Sequence, residues 1–216
     1  MKKLIYLLLF FLALNFTGCI KSKDAKKEDS NRSISYAYLG ELTPEQNEVK
    51  DALIEYLDAL KRFDSDSIVA QTYPKLFNVI DETHFKEYIT IMSNSKDIFI
   101  KNYETNITEI GPVITFNNGT QFSQIEYTSN TEIILINPNL YNTDTSINFL
   151  YDVLIHKYGK ENIDIDVKER SLKIKKEQKL IAIKDEQNDW KFIGDNQEYR
   201  QLYPSILPSE VLSHLK

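Results

Sequence analysis

The spacing of apolar residues divides the chain after residue 42 into a helical part and a part that is mostly strand. Apolar side chains recur every three or four residues from Val49 to Phe63, which places them on one face of a helix. Before them, Thr43, Pro44 and Gln46 supply a hydroxyl N-cap, a proline at the first helical position and a capping-box partner. The sequence therefore predicts a long helix over residues 44–63.

Two shorter helices are expected next, followed by a change of period. Asp66 is placed to cap a helix that ends near Thr72, and a third helix is expected over 83–94. After Asp97, apolar and polar residues alternate, as they do in strands with one buried face. The predicted strands cover residues 98–107, 112–116, 121–136, 163–167, 172–184 and 190–194.

Helical spacing returns at 147–158, where Gly159 is a suitable C-cap, and again after a capping box at Asp195 and Glu198. The order of elements predicts an α+β fold in which N-terminal helices pack on one face of a curved antiparallel sheet. The helix at 147–158 is an extra inserted element, and the last helical segment closes the C-terminus.

The N-terminus has the pattern of an export signal. Lys2 and Lys3 precede an uncharged run over 4–14, about half the ~20 residues of a membrane span. The following Phe-Thr-Gly-Cys ends at Cys19 and resembles the lipobox of bacterial lipoproteins. The resemblance implies cleavage after residue 18, diacylation of Cys19 and a location in the bacterial cell envelope, lipid-anchored and facing the periplasm or the surface.

Polarity and charge define the remaining regions and exclude some partners. Residues 20–35 are almost entirely polar, so we expect a flexible tether over 19–40. It joins a lipoprotein signal peptide over 1–18 to a single α+β domain over 41–216. Loss of Lys2 and Lys3 takes the formal net charge from −6 to −8. Because nucleic acids need clustered cations, we expect no nucleic-acid partner, and membrane contact through the acyl anchor at Cys19.

Motifs for catalysis or metal binding are scarce. The chain has no nucleophile elbow, no glycine-rich phosphate loop and no Cys-x-x-Cys, and its three histidines are not at metal-ligand spacing. We therefore expect no metal and no cofactor. His84 is the catalytic candidate because it lies in an acidic stretch, and the alternative is that it belongs to a first helical turn capped by Asp81.

Aromatic residues are the candidates for ligand binding, since tyrosine offers both an apolar ring and a hydrogen-bonding end. The candidates are Tyr56, Tyr88, Tyr103, Tyr127 and Trp190, with ordinary core and rim packing as the alternative. A strip of cations is interpreted as protection of an exposed sheet edge against pairing with another chain. It consists of Lys168, Arg170, Lys173, Lys175, Lys176 and Lys179.

The order of elements resembles the nuclear transport factor two superfamily. The resemblance lies in the long helix after Thr43, the third helix and the closing hairpin over 180–194, and the ending at 207–212 resembles uncharacterised bacterial lipoproteins. It implies a cone in which a helical hairpin packs on a curved antiparallel sheet, with a cystatin-like sheet as the alternative.

Three functions are compatible with this pattern. The first is a non-enzymatic, lipid-anchored domain that binds a small ligand or an envelope protein. The second is a cone-fold enzyme of isomerase, dehydratase or hydrolase type, with His84 or a pocket carboxylate as base. The third is a structural or surface interaction lipoprotein.

Overall fold

The computed structural model describes residues 33–36, 39–185 and 189–215. The expected signal peptide, Cys19 and the first part of the expected tether lie outside these residues. The α-helices are α1 (Pro44–Arg62), α2 (Ser65–Gln71), α3 (Glu82–Ser93), α4 (Asp144–Tyr158) and α5 (Ser209–Leu212). Short 3-10 helices span Pro74–Asn78, Lys160–Asn162 and Gln197–Ser205. Over the described ranges, no helix is both long enough and apolar enough to cross a membrane.

The strands form one sheet and confirm the α+β fold class. They are β1 (Ser33–Ser35), β2 (Ile98–Ile110), β3 (Ile114–Thr115), β4 (Gln121–Leu135), β5 (Ile163–Asp166), β6 (Ser171–Lys184) and β7 (Lys191–Gly194). The order is β1-β2-β4-β6-β5, with β3 paired to β4 and β7 paired to β6. The long strands β4 and β6 are therefore the centre of the sheet. Strand β2 has a register shift between Asn102 and Glu104.

The N-terminal strand corrects two predictions. Ser33–Ser35 pair with β2 in the parallel direction, so the sheet is mixed and not purely antiparallel. These residues were expected in the flexible tether over 19–40. Ile34, the one apolar side chain among them, packs against the core, and the segment pairs with a strand about 70 residues later in the chain.

Helix α1 has the predicted start and the predicted buried face. Thr43 and Gln46 form the capping box, and Phe63 ends the helix in the left-handed conformation. Asp64, not Asp66, then caps α2, because its carboxylate accepts hydrogen bonds from the Ser67 amide and hydroxyl at 3.1 and 2.8 Å. These bonds hold the pKa of the Asp64 carboxyl below its usual value.

The sheet is covered on both faces, which corrects the expectation of one covered face. Helices α1, α3 and α4 pack on one face, here called the inner face, over a core that includes Leu57, Ile89 and Leu154. The C-terminal segment packs on the opposite, outer face, where Tyr203 and Val211 join a second core with side chains of β6 and β7.

A buried carboxylate fastens this C-terminal segment. Asp195 was expected to cap a helix with Glu198, whose side chain lies outside the described residues. Instead the Asp195 carboxylate accepts hydrogen bonds from Arg200 at 3.2 Å and from the Gln124 amide at 3.2 Å. The Tyr203 hydroxyl donates to the Gly194 carbonyl at 2.9 Å, so polar contacts join the segment to the end of β7.

Candidate functional site

A row of polar side chains crosses the inner face of the sheet. Ser129 of β4 pairs with Thr105 of β2 on one side and with Lys176 of β6 on the other. Because the pairing aligns these residues, the three side chains lie side by side. All three are buried beneath the helices. We call Thr105, Ser129 and Lys176 the polar row.

A hydrogen-bonded chain adjoins the polar row. The Tyr127 hydroxyl donates to the Gln178 side-chain oxygen at 2.8 Å, and the Gln178 amide donates to the Ser129 hydroxyl at 2.9 Å. Burial, with Tyr56 as a second cause, raises the pKa of Tyr127 well above its usual value, so its hydroxyl stays protonated. These hydrogen bonds fix the orientation of the Ser129 hydroxyl, and Lys176 does not take part in them.

Lys176 is the most unusual member of the polar row. It is 5% exposed, and its Nζ has no hydrogen-bond partner among the described residues. The nitrogen lies 5.5 Å from the centroid of the Tyr158 ring, at the end of α4. Burial lowers the pKa of this amine to about 7, and the charge of Lys157 contributes. Near neutral pH, Lys176 is therefore partly uncharged.

Thr131 lies next to the polar row, two residues after Ser129 on the same face of β4. It pairs with Ile174, the residue before Lys176 on the same face of β6, so the two side chains are diagonal neighbours about 7–8 Å apart. Thr131 is 0% exposed, and in the described part of the chain its hydroxyl oxygen has no hydrogen-bond partner. The site therefore offers an amine and a hydroxyl that can both bond to one small molecule.

Lys176 also lies beside a gap in the edge of the sheet. Strand β5 pairs with Ser171–Ile174, and β7 pairs with Leu180–Ile183. No strand of the described chain pairs with residues 175–179 on that side. At the far end of this gap, the backbone amide of Asp195 donates a hydrogen bond to the Lys179 carbonyl. The gap brings the polar row close to the periphery of the sheet.

The aromatic candidates lie mainly in the core. Tyr56 is buried, stacks on Phe192 at 5.0 Å and acts electrostatically on Tyr127, so the structure brings Tyr56 and Tyr127 together. Tyr88 is partly buried at the edge of the same core. The side chain of Tyr103 lies outside the described part of the molecule.

Trp190 is buried away from the polar row. Its ring lies 5.8 Å from the Lys184 nitrogen, and Lys184 is eight residues from Lys176 along β6, about 26 Å in an extended strand. Trp190 packs in the core, as the alternative to ligand binding has it, since only 5% of the residue is exposed.

His84 does not belong to the polar row. It lies in the first turn of α3, where its backbone amide donates to the Asp81 carboxylate at 2.8 Å. Its side chain is 81% exposed. In the part of the chain that the structure describes, no three His, Cys, Asp or Glu side chains are grouped so that they could hold a metal ion.

The interpretation of Lys176 as an edge-protecting lysine is wrong. Lys173, Lys175 and Lys179 are exposed as expected, but Lys176 falls on the inner face with Ile174. Strict alternation from Leu172 could have predicted this, because every second residue after an inner-facing one also faces inward. The exposed lysines on either side led to the interpretation of Lys176 as exposed too.

A groove of about 500 Å³ is lined in part by exposed side chains that alternate along the strands with the polar row, such as Glu104 and Lys175, and no residue of the polar row lines it. Its charged groups include acids and bases that are exposed to water, which weakens their effect on a ligand. The lining residues are Glu104, Asn130, Thr131, Glu161, Asn162, Ile163, Asp164, Lys173, Ile174 and Lys175.

Comparisons with known proteins identify no family for this chain. No protein-family model matches it, and neither curated proteins nor solved structures give a significant match.

Proposed function

We propose that the domain binds a small molecule on the inner face of its sheet, at Lys176 and Thr131. The observation that supports this proposal is that the Lys176 nitrogen and the Thr131 hydroxyl, two of several such atoms among the described residues, are buried without hydrogen-bond partners. An unsatisfied buried polar group costs about 1–3 kcal/mol, and more if it is charged. A ligand that accepts from Lys176 and bonds to Thr131 would remove that cost.

Binding is favoured over acid–base catalysis because of the groups around the site. Apart from Lys176, the described residues of the site include no second group that could exchange a proton near neutral pH: Ser129, Thr131 and Gln178 do not titrate there, and the raised pKa of Tyr127 keeps its proton bound. The exposed His84 gives no support to a base inside the domain.

We also propose that the helices and sheet form a cone of the nuclear transport factor two type. Three features support it: α1, α2 and α3 precede β2–β7, β2 contains two register shifts that favour bending, and a polar row crosses the inner face. A cystatin-like or other curved-sheet arrangement is the alternative.

The anchor is a separate proposal that rests on the N-terminal sequence. We propose that the protein is exported and held in the bacterial cell envelope by acyl chains on Cys19. The Cys19→Ala variant should then lose acylation and leave the membrane fraction, or accumulate as unprocessed precursor. Membrane fractionation and intact-mass measurement test this expectation, and a wild-type protein without acyl chains would contradict it.

Ligand binding can be tested with isoleucine methyl groups as reporters. Ile174 lies next to Lys176 on the inner face, whereas Ile183, on the same strand, lies in the outer core. In protein with labelled isoleucine methyls, we expect titration with small carboxylates or carbonyl compounds to shift the Ile174 resonance and leave Ile183 unchanged. These compounds present the acceptor oxygen that Lys176 requires.

The Lys176→Met and Thr131→Val variants should weaken that response. Lys175→Met is the matched control, because Lys175 is adjacent in sequence but exposed. If no compound of either class moves the Ile174 resonance, or if Lys175→Met weakens the response as much as Lys176→Met, the proposed site is wrong.

A further inference from the structure

We propose that Lys176 captures small aldehydes or ketones covalently, by forming an imine between its amine and the carbonyl carbon. The proposal rests on the proposed function, because it names the class of molecule that the same site takes. It goes further by making Lys176 a nucleophile and not only a hydrogen-bond donor.

The surroundings of Lys176 suit a nucleophilic amine. An ammonium group held by a carboxylate would have no free electron pair, but no described carboxylate bonds to the Lys176 nitrogen. The nearest ring is that of Tyr158, at 5.5 Å, and Ile174 flanks it on the inner face. Burial away from water, with no hydrogen-bonded carboxylate among the described residues, disfavours the ammonium form and leaves part of the amine neutral for attack.

The reaction needs no further reactant. The neutral amine attacks the carbonyl carbon, a C–N bond forms as the C=O π bond breaks, and one proton passes from nitrogen to oxygen to give a carbinolamine. Loss of that hydroxyl group as water, with the proton from nitrogen, gives the imine. The reaction is reversible by addition of water. The Thr131 hydroxyl is the neighbouring group placed to hydrogen-bond the oxygen before it leaves.

The protonation state separates Lys176 from ordinary lysines. Burial lowers the pKa of Lys176 to about 7, with Lys157 of α4 as the charged group that contributes. Near neutral pH about half of this amine is neutral, compared with roughly one molecule in 2,000 for an unperturbed lysine. Tyr158 also faces the amine from α4, while β2 and β4 present the uncharged Thr105, Ser129 and Thr131.

The gap in the sheet edge gives a small molecule a short route to the amine. Residues 175–179 lie between the segments of β6 that pair with β5 and β7. The last residues of α4 lie over this part of the inner face, as the contact between Tyr158 and Lys176 shows. Fluctuation of the end of α4 would expose Lys176 without separating β4 from β6.

Trapping with glyoxylate and sodium cyanoborohydride tests this proposal. Cyanoborohydride reduces an imine to a stable secondary amine, and peptide mass spectrometry then locates the modified lysine. Near neutral pH we expect labelling of Lys176 at least about tenfold faster than that of any exposed lysine, because far more of its amine is neutral. The reaction should be run on the full folded protein.

Two substitutions make the result decisive. Lys176→Arg should abolish the fast labelling, whereas Lys175→Arg, the exposed neighbour, should leave it unchanged. The fluorescence emission of buried Trp190 checks that each variant is folded. If Lys176→Arg does not fold, Lys176→Met replaces it in the same experiment.

Each of the other outcomes has a defined meaning. Equal labelling of Lys176 and the exposed lysines would overturn the covalent proposal. If glyoxylate shifts the Ile174 methyl resonance but is not trapped on Lys176, the site binds without covalent capture. In that case the proposed function stands and this inference fails. If glyoxylate and the other probes neither shift Ile174 nor give an adduct on Lys176, both are wrong.

Discussion

Replacing Lys176 with methionine is expected to stabilise the protein strongly at about pH 6 and hardly at all at about pH 11. Methionine keeps a long flexible side chain and removes the amine. In the folded wild type that amine is buried, and its pKa is lowered from 10.5 to about 7. At low pH the folded protein must hold a buried charge, which the substitution removes.

The direction of the pH dependence follows from the two pKa values. Below about pH 7 the amine is charged in both states, so the wild type bears the full cost of burying the charge. Between about pH 7 and 10.5 the unfolded chain binds more protons than the folded protein, so wild-type stability rises with pH. Above this range the cost is absent. The pKa difference corresponds to a stabilisation on the order of 5 kcal/mol at about pH 6.

Urea unfolding of Lys176→Met and wild type across this pH range measures the effect. Comparing the two proteins cancels the titration of groups that they share. Lys175→Met is the control, because that side chain is exposed and its removal should change stability by less than about 0.5 kcal/mol. A pH-independent difference between wild type and Lys176→Met would show that Lys176 is not buried as an amine with a lowered pKa.

Replacing Leu57 with alanine is the second large effect that we expect. Leu57 lies on the buried face of α1 and is 2% exposed. Truncation removes apolar contacts and leaves a cavity between the helix and the inner face of the sheet. We expect the free energy of unfolding to fall by roughly 2–5 kcal/mol, as for other buried leucines.

Glu55→Ala is the matched substitution on the exposed side of the same helix. It should change stability by less than about 0.5 kcal/mol, because its carboxylate is exposed to solvent. Urea unfolding of both variants at one pH makes the comparison. Equal losses at the two positions would mean that α1 packs on the sheet through a different face.

Local sequence signals were sufficient for most of the elements. The capping box at Thr43 and the apolar spacing after it determine where α1 begins and which face it buries. Gly159, with a φ of 84°, ends α4 where the sequence predicts. These signals operate within a few residues, so they can be recognised without knowing what the element packs against.

Long-range pairing decided the features that the sequence analysis missed. Ser33–Ser35 join the sheet through β2, although Ile34 is the one apolar residue among them and makes no strand pattern by itself. The C-terminal segment covers the outer face, where it meets Tyr73 and Phe122 from distant parts of the chain. Neither contact leaves a local pattern, because each depends on a partner far away in sequence.

The candidate site shows the same division. Alternation along β6 places Lys176 on the same face as Leu172 and Ile174, and this can be predicted from the sequence alone. Only the tertiary structure places Ser129 beside Lys176 and the end of α4 over it. The altered pKa of Lys176 arises from burial and from the charge of Lys157. Desolvation depends on every neighbour that excludes water, so it emerges only when the helices close over the sheet.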